Sequence, residues 1–198
     1  MKDSPTPYVI IGTMICLLLA LLWQNRRPHF EEGRQVFGEP YQGSASTPDW
    51  EVGDYRLSAV ASFDIEAIVL HTQRYWFDDI ADLVPIDLAL GWGPMSEGEV
   101  LNELRVYQGD RFYYWKRSSL LRPAEIGQHS TNLHAIPADS TIKKQLFAID
   151  VGDIVQLTGV LINAYKPGGW TMKTSVSRTD TLGGACEVMW VESVTLNR

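Results

Sequence analysis

Two stretches of this chain alternate apolar and polar residues with a period of two, a pattern compatible with little besides half-buried β-strands. In FDIEAIVLHTQRY, 63–75, Phe63, Ile65, Ala67 and Val69 fall on one face, with Asp64 and Glu66 opposite. In IDVGDIVQLTGVLINAY, 149–165, a Gly-Asp turn precedes a strand whose Val155, Leu157, Leu161 and Tyr165 share a side. Each stretch offers an apolar face that needs partner strands, and the chain supplies them. IDLALGWGP, 86–94, reads as a strand ending in a Gly-Trp-Gly-Pro turn, and RFYYWK, 111–116, as an aromatic strand. KPGGW, 166–170, is a hairpin turn with WTMKTSV as the return strand, and CEVMWVESVTL, 186–196, is a closing strand. Two short helices interrupt them. SEGEVLNEL, 96–104, places Ser96 as cap three residues before Glu99, with Val100, Leu101 and Leu104 as its buried stripe. DSTIKKQLF, 139–147, offers Asp139 or Ser140 as an N-cap. The expected class is mainly β (α+β).

A long first strand, further strands, a short helix and then GD-x-V-x-L-x-G-x-L leading into a hairpin resembles an OB-type barrel. That resemblance covers about half the chain and implies a helix between the third and fourth barrel strands. The strings DLALGWGPMS, HSTNLHAIPA and DTLGGACEV are similar to those of a group of membrane-anchored bacterial proteins. This second resemblance implies a bacterial membrane protein and no particular activity.

The run YVIIGTMICLLLALLW, 8–23, contains no charge, and the uncharged stretch extends to Asn25, about the length a tilted membrane helix requires. Tyr8 and Trp23 stand at its ends, where amphipathic rings favour the interface. No small-x-small cleavage site follows, so an uncleaved single-pass anchor is expected rather than a signal peptide. Arg26, Arg27 and Arg34 follow the span and only Lys2 precedes it. The positive-inside bias then places the C-terminal domain on the cytoplasmic side of a bacterial inner membrane, with export to the periplasm the alternative. The organisation expected is an N-terminal tail at 1–7, a transmembrane helix at 8–25, a Gly/Pro-punctuated linker at 26–54 and an OB-like β domain at 55–198.

Charge narrows the partners. Beyond residue 28 the chain carries 14 basic and 23 acidic side chains, a net −9, against sequence-independent nucleic-acid binding. The basic run Arg111, Lys116, Arg117 and Arg122 reads as a solvated strand end. Of the two cysteines, Cys16 lies in the apolar run, so a bridge to Cys186 is not expected, and no zinc-ligand cluster is present.

Candidate chemistry is sparse. HSTNLHAIPA, 129–138, holds His129 and His134 five residues apart, on opposite faces of a strand, with Asn132 able to bond its own backbone and Pro137 ending the segment. A structured polar turn is expected there, with the two histidines acting independently. Cys186 shares a strand face with Val188, Trp190, Val194 and Leu196, which reads as core packing, with a nucleophile based on His134 or His129 as the alternative. Arg178 and Asp180 sit in a glycine-rich loop, Asp180 being an acid–base candidate. Asp78, Asp79 and Asp82 read as surface charge. The expected ligand-binding set is His129, Asn132, His134, Arg178, Asp180 and Trp92, with no metal and no cofactor. A haem-carrier alternative is weakened because a His-x-x-x-Tyr arrangement is missing. The leading expectation is a membrane-anchored binding or assembly module with a protein or ligand partner. The alternatives are a Cys/His-type hydrolase using Cys186, His134 and Asp180, or a tethered metal or haem carrier.

Overall fold

A computed structural model describes residues 9, 11–16, 18, 28–116, 120–177 and 186–197. The protein is mainly β, with one large sheet and a few short helices. In chain order the first elements are β1 (Tyr41–Ser44), β2 (Trp50–Val52), β3 (Tyr55–Arg74) and β4 (Ile86–Gly91). A 3-10 turn (Gly93–Ser96), α1 (Gly98–Glu103), β5 (Arg105–Gly109), β6 (Phe112–Lys116), α2 (Pro123–Gln128) and β7 (Ser130–Pro137) follow. The last elements are α3 (Ser140–Phe147), β8 (Ile154–Lys166), β9 (Trp170–Lys173) and β10 (Glu187–Asn197).

At 20 residues, β3 organises the rest. Its positions 56–68 pair antiparallel with β8 on one edge. Its other edge is covered in turn by β2, β1 and β4. Register shifts at Ala59/Ala61 and Val69/His71 mark bulges, which let so long a strand bend from one set of neighbours to the next. From β4 the pairing continues antiparallel to β7, parallel to β10 and antiparallel to β8, which pairs with β3 again. The alternation read in the sequence sets the inside: Phe63, Ile65, Leu88, Leu90, Leu133, Leu157, Leu161, Met189 and Val191 pack together, buried. Between β7 and β8, α3 is capped by the Asp139 carboxylate, which accepts the Thr141 and Ile142 amides.

The structure departs from the sequence reading at several points. HSTNLHAIPA is not a turn but β7, buried at every position from Ser130 to Ile136. Its Ser130, Asn132 and His134 alternate with Thr131, Leu133 and Ala135, and the face of the first three is covered by other protein rather than by water. Residues 28–54 are not free chain. Phe30 and Val36 are buried, and Asn102 exchanges two hydrogen bonds with the Phe30 backbone. That segment crosses so close to α1 that a Cβ on Gly98 would overlap the Glu31 carbonyl. Apolar residues spaced without period left no pattern to read there. Ser96 does not cap α1; its buried hydroxyl bonds the carbonyls of Val36 and Gly93. A bulge at Val191/Ser193 reverses the faces of β10, so Val194 packs inside with Val191 while Val188 and Trp190 pack on the outer side. Cys186 therefore does not share a face with Val194. Among the described residues no helix is long and apolar enough to cross a membrane.

Candidate functional site

The outer face of β4 and β7 holds a group of polar side chains that a hairpin covers. On β4, Ile86, Leu88 and Leu90 face the core, so Asp87 points outward, yet it is fully buried. On β7 the same alternation sends Ser130, Asn132 and His134 outward, and the strand register sets Asp87 opposite His134. A lone carboxylate buried on an apolar strand is costly unless it is paired. His134 Nδ1 bonds Asp87 Oδ1 at 2.9 Å, and Arg111 Nη1 bonds the same oxygen at 3.2 Å.

Arg111 comes from the hairpin of β5 and β6. Their connection is a two-residue turn in which Asp110 and Arg111 both have positive φ, 51° and 67°. Such a turn matches the strand twist, but a long side chain in the left-handed region is disfavoured. The contacts Arg111 makes offset that cost. Besides Asp87 it donates to Asp78 at 2.7 Å and to the Val84 carbonyl at 2.8 Å, and it stacks 3.5 Å above the Tyr75 ring. Arg111 is thus a largely buried pin, not a solvated strand end. Partial burial would raise the Asp78 carboxyl, but Arg111 and the Ile80 amide hold it below its ordinary range. Burial and the neighbouring Asp87 push the Tyr75 phenol up.

Cys186 completes the group. β10 runs parallel to β7 with Val188 beside His134, which brings the half-buried Cys186 to the Asn132 and His134 end of the face. Its carbonyl accepts the Ser175 amide at 2.9 Å, fixing the backbone. His134 also lies close enough to Cys186 for the two to interact electrostatically, while its Nδ1 is taken by Asp87. Burial alone would lower the His134 pKa. The Asp87 and Cys186 interactions more than reverse that and push it up to about 9, so the imidazole is protonated at neutral pH. Asn132 Nδ2 lies 3.9 Å from Cys186 Sγ. On the inner face at the same end, the Thr131 hydroxyl bonds the Glu187 carboxylate.

Of the residues singled out in the sequence, Cys186, His134 and Asn132 come together. His129 does not join them: it ends α2, and its Nδ1 bonds the Glu125 carbonyl at 2.9 Å. Trp92 is buried in the core. Arg178 and Asp180 lie outside the described residues. Asp78 is paired with Arg111 and Asp82 accepts from the Tyr55 hydroxyl, so the acidic cluster is divided between separate partners. Among the described residues no three His, Cys, Asp or Glu side chains are grouped to hold a metal ion. Comparison with protein-family models, curated proteins and solved structures finds no match to this chain. Sequence reasoning missed Asp87 and Arg111. For Asp87 a signal existed: one carboxylate inside IDLALG needs a buried partner. For Arg111 none did, because its role depends on how the hairpin docks.

Proposed function

We propose that this protein is a Cys/His-type hydrolase built on an OB-type barrel, with Cys186 as nucleophile, His134 as proton carrier and Asp87 as the group that orients His134. The observation that carries the reading is one buried imidazole that bonds the Asp87 carboxylate and lies beside Cys186. The barrel reading rests on the strand cycle β3–β4–β7–β10–β8–β3, with its one parallel pair and with α3 between β7 and β8. The nucleophile this chemistry needs is the thiolate. The sulfur attacks an acyl carbon, the leaving group departs with the proton from His134, and a thioester forms. Water then attacks the thioester, giving one proton to neutral His134 and restoring the thiolate–imidazolium pair. Cys186 is also the more exposed member, while His134 and Asp87 are buried behind it.

The test is selective alkylation. In full-length protein carrying Cys16→Ser, iodoacetamide should modify native Cys186 at pH 6.5 about tenfold faster than the denatured chain. His134→Gln should remove the difference. An activated aryl ester should release a burst of phenol stoichiometric with protein, absent in Cys186→Ala. Equal alkylation of native and denatured protein would overturn the hydrolase reading.

A binding module is the second reading, favoured by a separate groove of about 420 Å³ lined by Glu51, Asp54, Tyr55, Arg56, Tyr165 and Lys166. There Arg56 lies 5.2 Å from the centre of the Tyr165 ring and Lys166 4.6 Å from that of Tyr55, a charged and aromatic lining suited to a polar ligand or protein partner. In either reading the proposed setting is a bacterial inner membrane, with residues 8–25 as anchor and the β domain in the cytoplasm, where reducing conditions keep a nucleophilic thiol free. A reporter active only outside the cytoplasm, fused after Arg198, should be silent; strong activity would reverse the orientation.

A further inference from the structure

We infer that Asn132 is a donor to the Cys186 sulfur, and that Gln108 and His71 are positioning residues that reinforce the orientation set by the Arg111 carbonyl. The inference rests on the hydrolase reading and deepens it. A side-chain amide can present either its oxygen or its nitrogen, so an amide beside sulfur is useful only if something prevents it from turning over. Here the direction is set from the Arg111 backbone. The Arg111 carbonyl can only accept, and it lies 3.0 Å from the Asn132 amide, so that end must be Nδ2. Its second N–H is then the one directed at Cys186 Sγ, 3.9 Å away. Asn132 Oδ1 is left to accept, and it does so from Gln108 Nε2. Gln108 must therefore turn Oε1 the other way, where His71 Nδ1 stands at 3.0 Å. Because Gln108 Oε1 can only accept, His71 Nδ1 carries the proton. Each link has one allowed direction, and every link sends donor character toward sulfur.

The chain draws on three parts of the fold. His71 is on β3, Gln108 on the docked hairpin and Asn132 on β7. Asn132 is almost completely buried, so no water competes to reorient it. The Asn132 N–H therefore approaches the sulfur at the same end of the face as the His134 imidazole. In the thioester-forming step the same Asn132 N–H is placed to stabilise charge that develops next to the sulfur.

The experiment reverses the polarity of the first link. In full-length Cys16→Ser protein, His71→Asp puts an acceptor where Gln108 needs a donor, so Gln108 or Asn132 must turn and present oxygen toward a neighbouring oxygen or the sulfur. Cys186 alkylation by iodoacetamide at pH 6.5 should slow about tenfold, with the rate–pH profile moving to higher pH. His71→Asn keeps a donor in place and should stay within about twofold of the parent. The new carboxylate also acts through space, so the rates are compared at 0.15 M and 1 M salt, where a distant charge is screened and a hydrogen-bond reversal is not. Gln108→Leu, which removes the donor to Asn132 Oδ1 without adding charge and leaves only the Arg111 carbonyl to orient the amide, should slow alkylation in the same direction. If the parent shows fast alkylation at pH 6.5 and folded His71→Asp and Gln108→Leu retain it in 1 M salt, the positioning role is overturned while the hydrolase reading stands. If the parent itself alkylates like a denatured thiol, the hydrolase reading falls first.

Discussion

Asp87→Ala should destabilise the protein by about 3–5 kcal/mol, read as the loss of unfolding free energy in urea, and in a chain of ordinary stability that approaches complete unfolding. The carboxylate is fully buried and is the shared acceptor for His134 and Arg111. Removing it leaves buried His134 facing Arg111 with no carboxylate between them, and it takes away one of the contacts by which Arg111 pins the hairpin turn. Asp87→Asn should cost less, because one oxygen still accepts, but it gives up the charge that keeps His134 protonated. Replacing Arg111 by Met in the Asp87→Ala background should recover part of the loss, since it removes one of the stranded charges. A cost below about 1 kcal/mol for Asp87→Ala would mean that the network does not hold the hairpin down.

The second large effect is on pH. His134 is raised from an ordinary 6.5 to about 9, so the folded state binds its proton more tightly than the unfolded chain does. Its stabilising contribution is therefore complete below pH 6.5, declines as pH rises and is gone above about pH 9. The loss across that window should be on the order of 3 kcal/mol, visible as a falling urea midpoint. His134→Gln should be less stable than the parent at pH 6 and nearly independent of pH from 6.5 to 9. A parent whose midpoint is flat over the same range would show that the buried imidazole is neutral.

The clearest period-two patterns lay in strands with one more exposed face. Along β3 and β8 the interior and solvent sides alternate, and period two reports it directly. β7 defeats the same reading, because Thr131, Leu133 and Ala135 face inward while Asn132 and His134 lie beneath the hairpin. A strand buried on both sides by unlike neighbours has no simple pattern, and its Ser, Thr, Asn and Pro imitate a turn. The site was legible as residue types but not as an arrangement. Cys186, His134 and Asn132 stood out by chemistry. What joins them is the parallel register of β10 on β7, with Val188 opposite His134, and register is fixed by packing across more than fifty residues of sequence. The bulge in β10 had the same origin. It follows from how β8 and β10 fit together, so faces assigned by counting from Cys186 fail beyond Val191. Arg111 looked like surface charge because nothing local distinguishes a basic turn residue in water from one folded back onto an aspartate.

The pairing of β3 with β8 has a consequence for how the chain is made. Arg56 meets Tyr165 and Ile68 meets Ile154, so the first long strand leaves the ribosome 86 to 109 residues before the positions it pairs with. At ordinary elongation rates that interval is several seconds or more. Throughout it, one edge of a 20-residue strand has open amides and carbonyls that other chains can bond. Only β2, β1 and β4, on the opposite edge, are available early. Assembly must wait for the C-terminal third, and closing contacts so distant in sequence places refolding among the slow small domains, in milliseconds to seconds. Truncation before residue 166 would therefore yield an aggregating chain rather than a smaller working one.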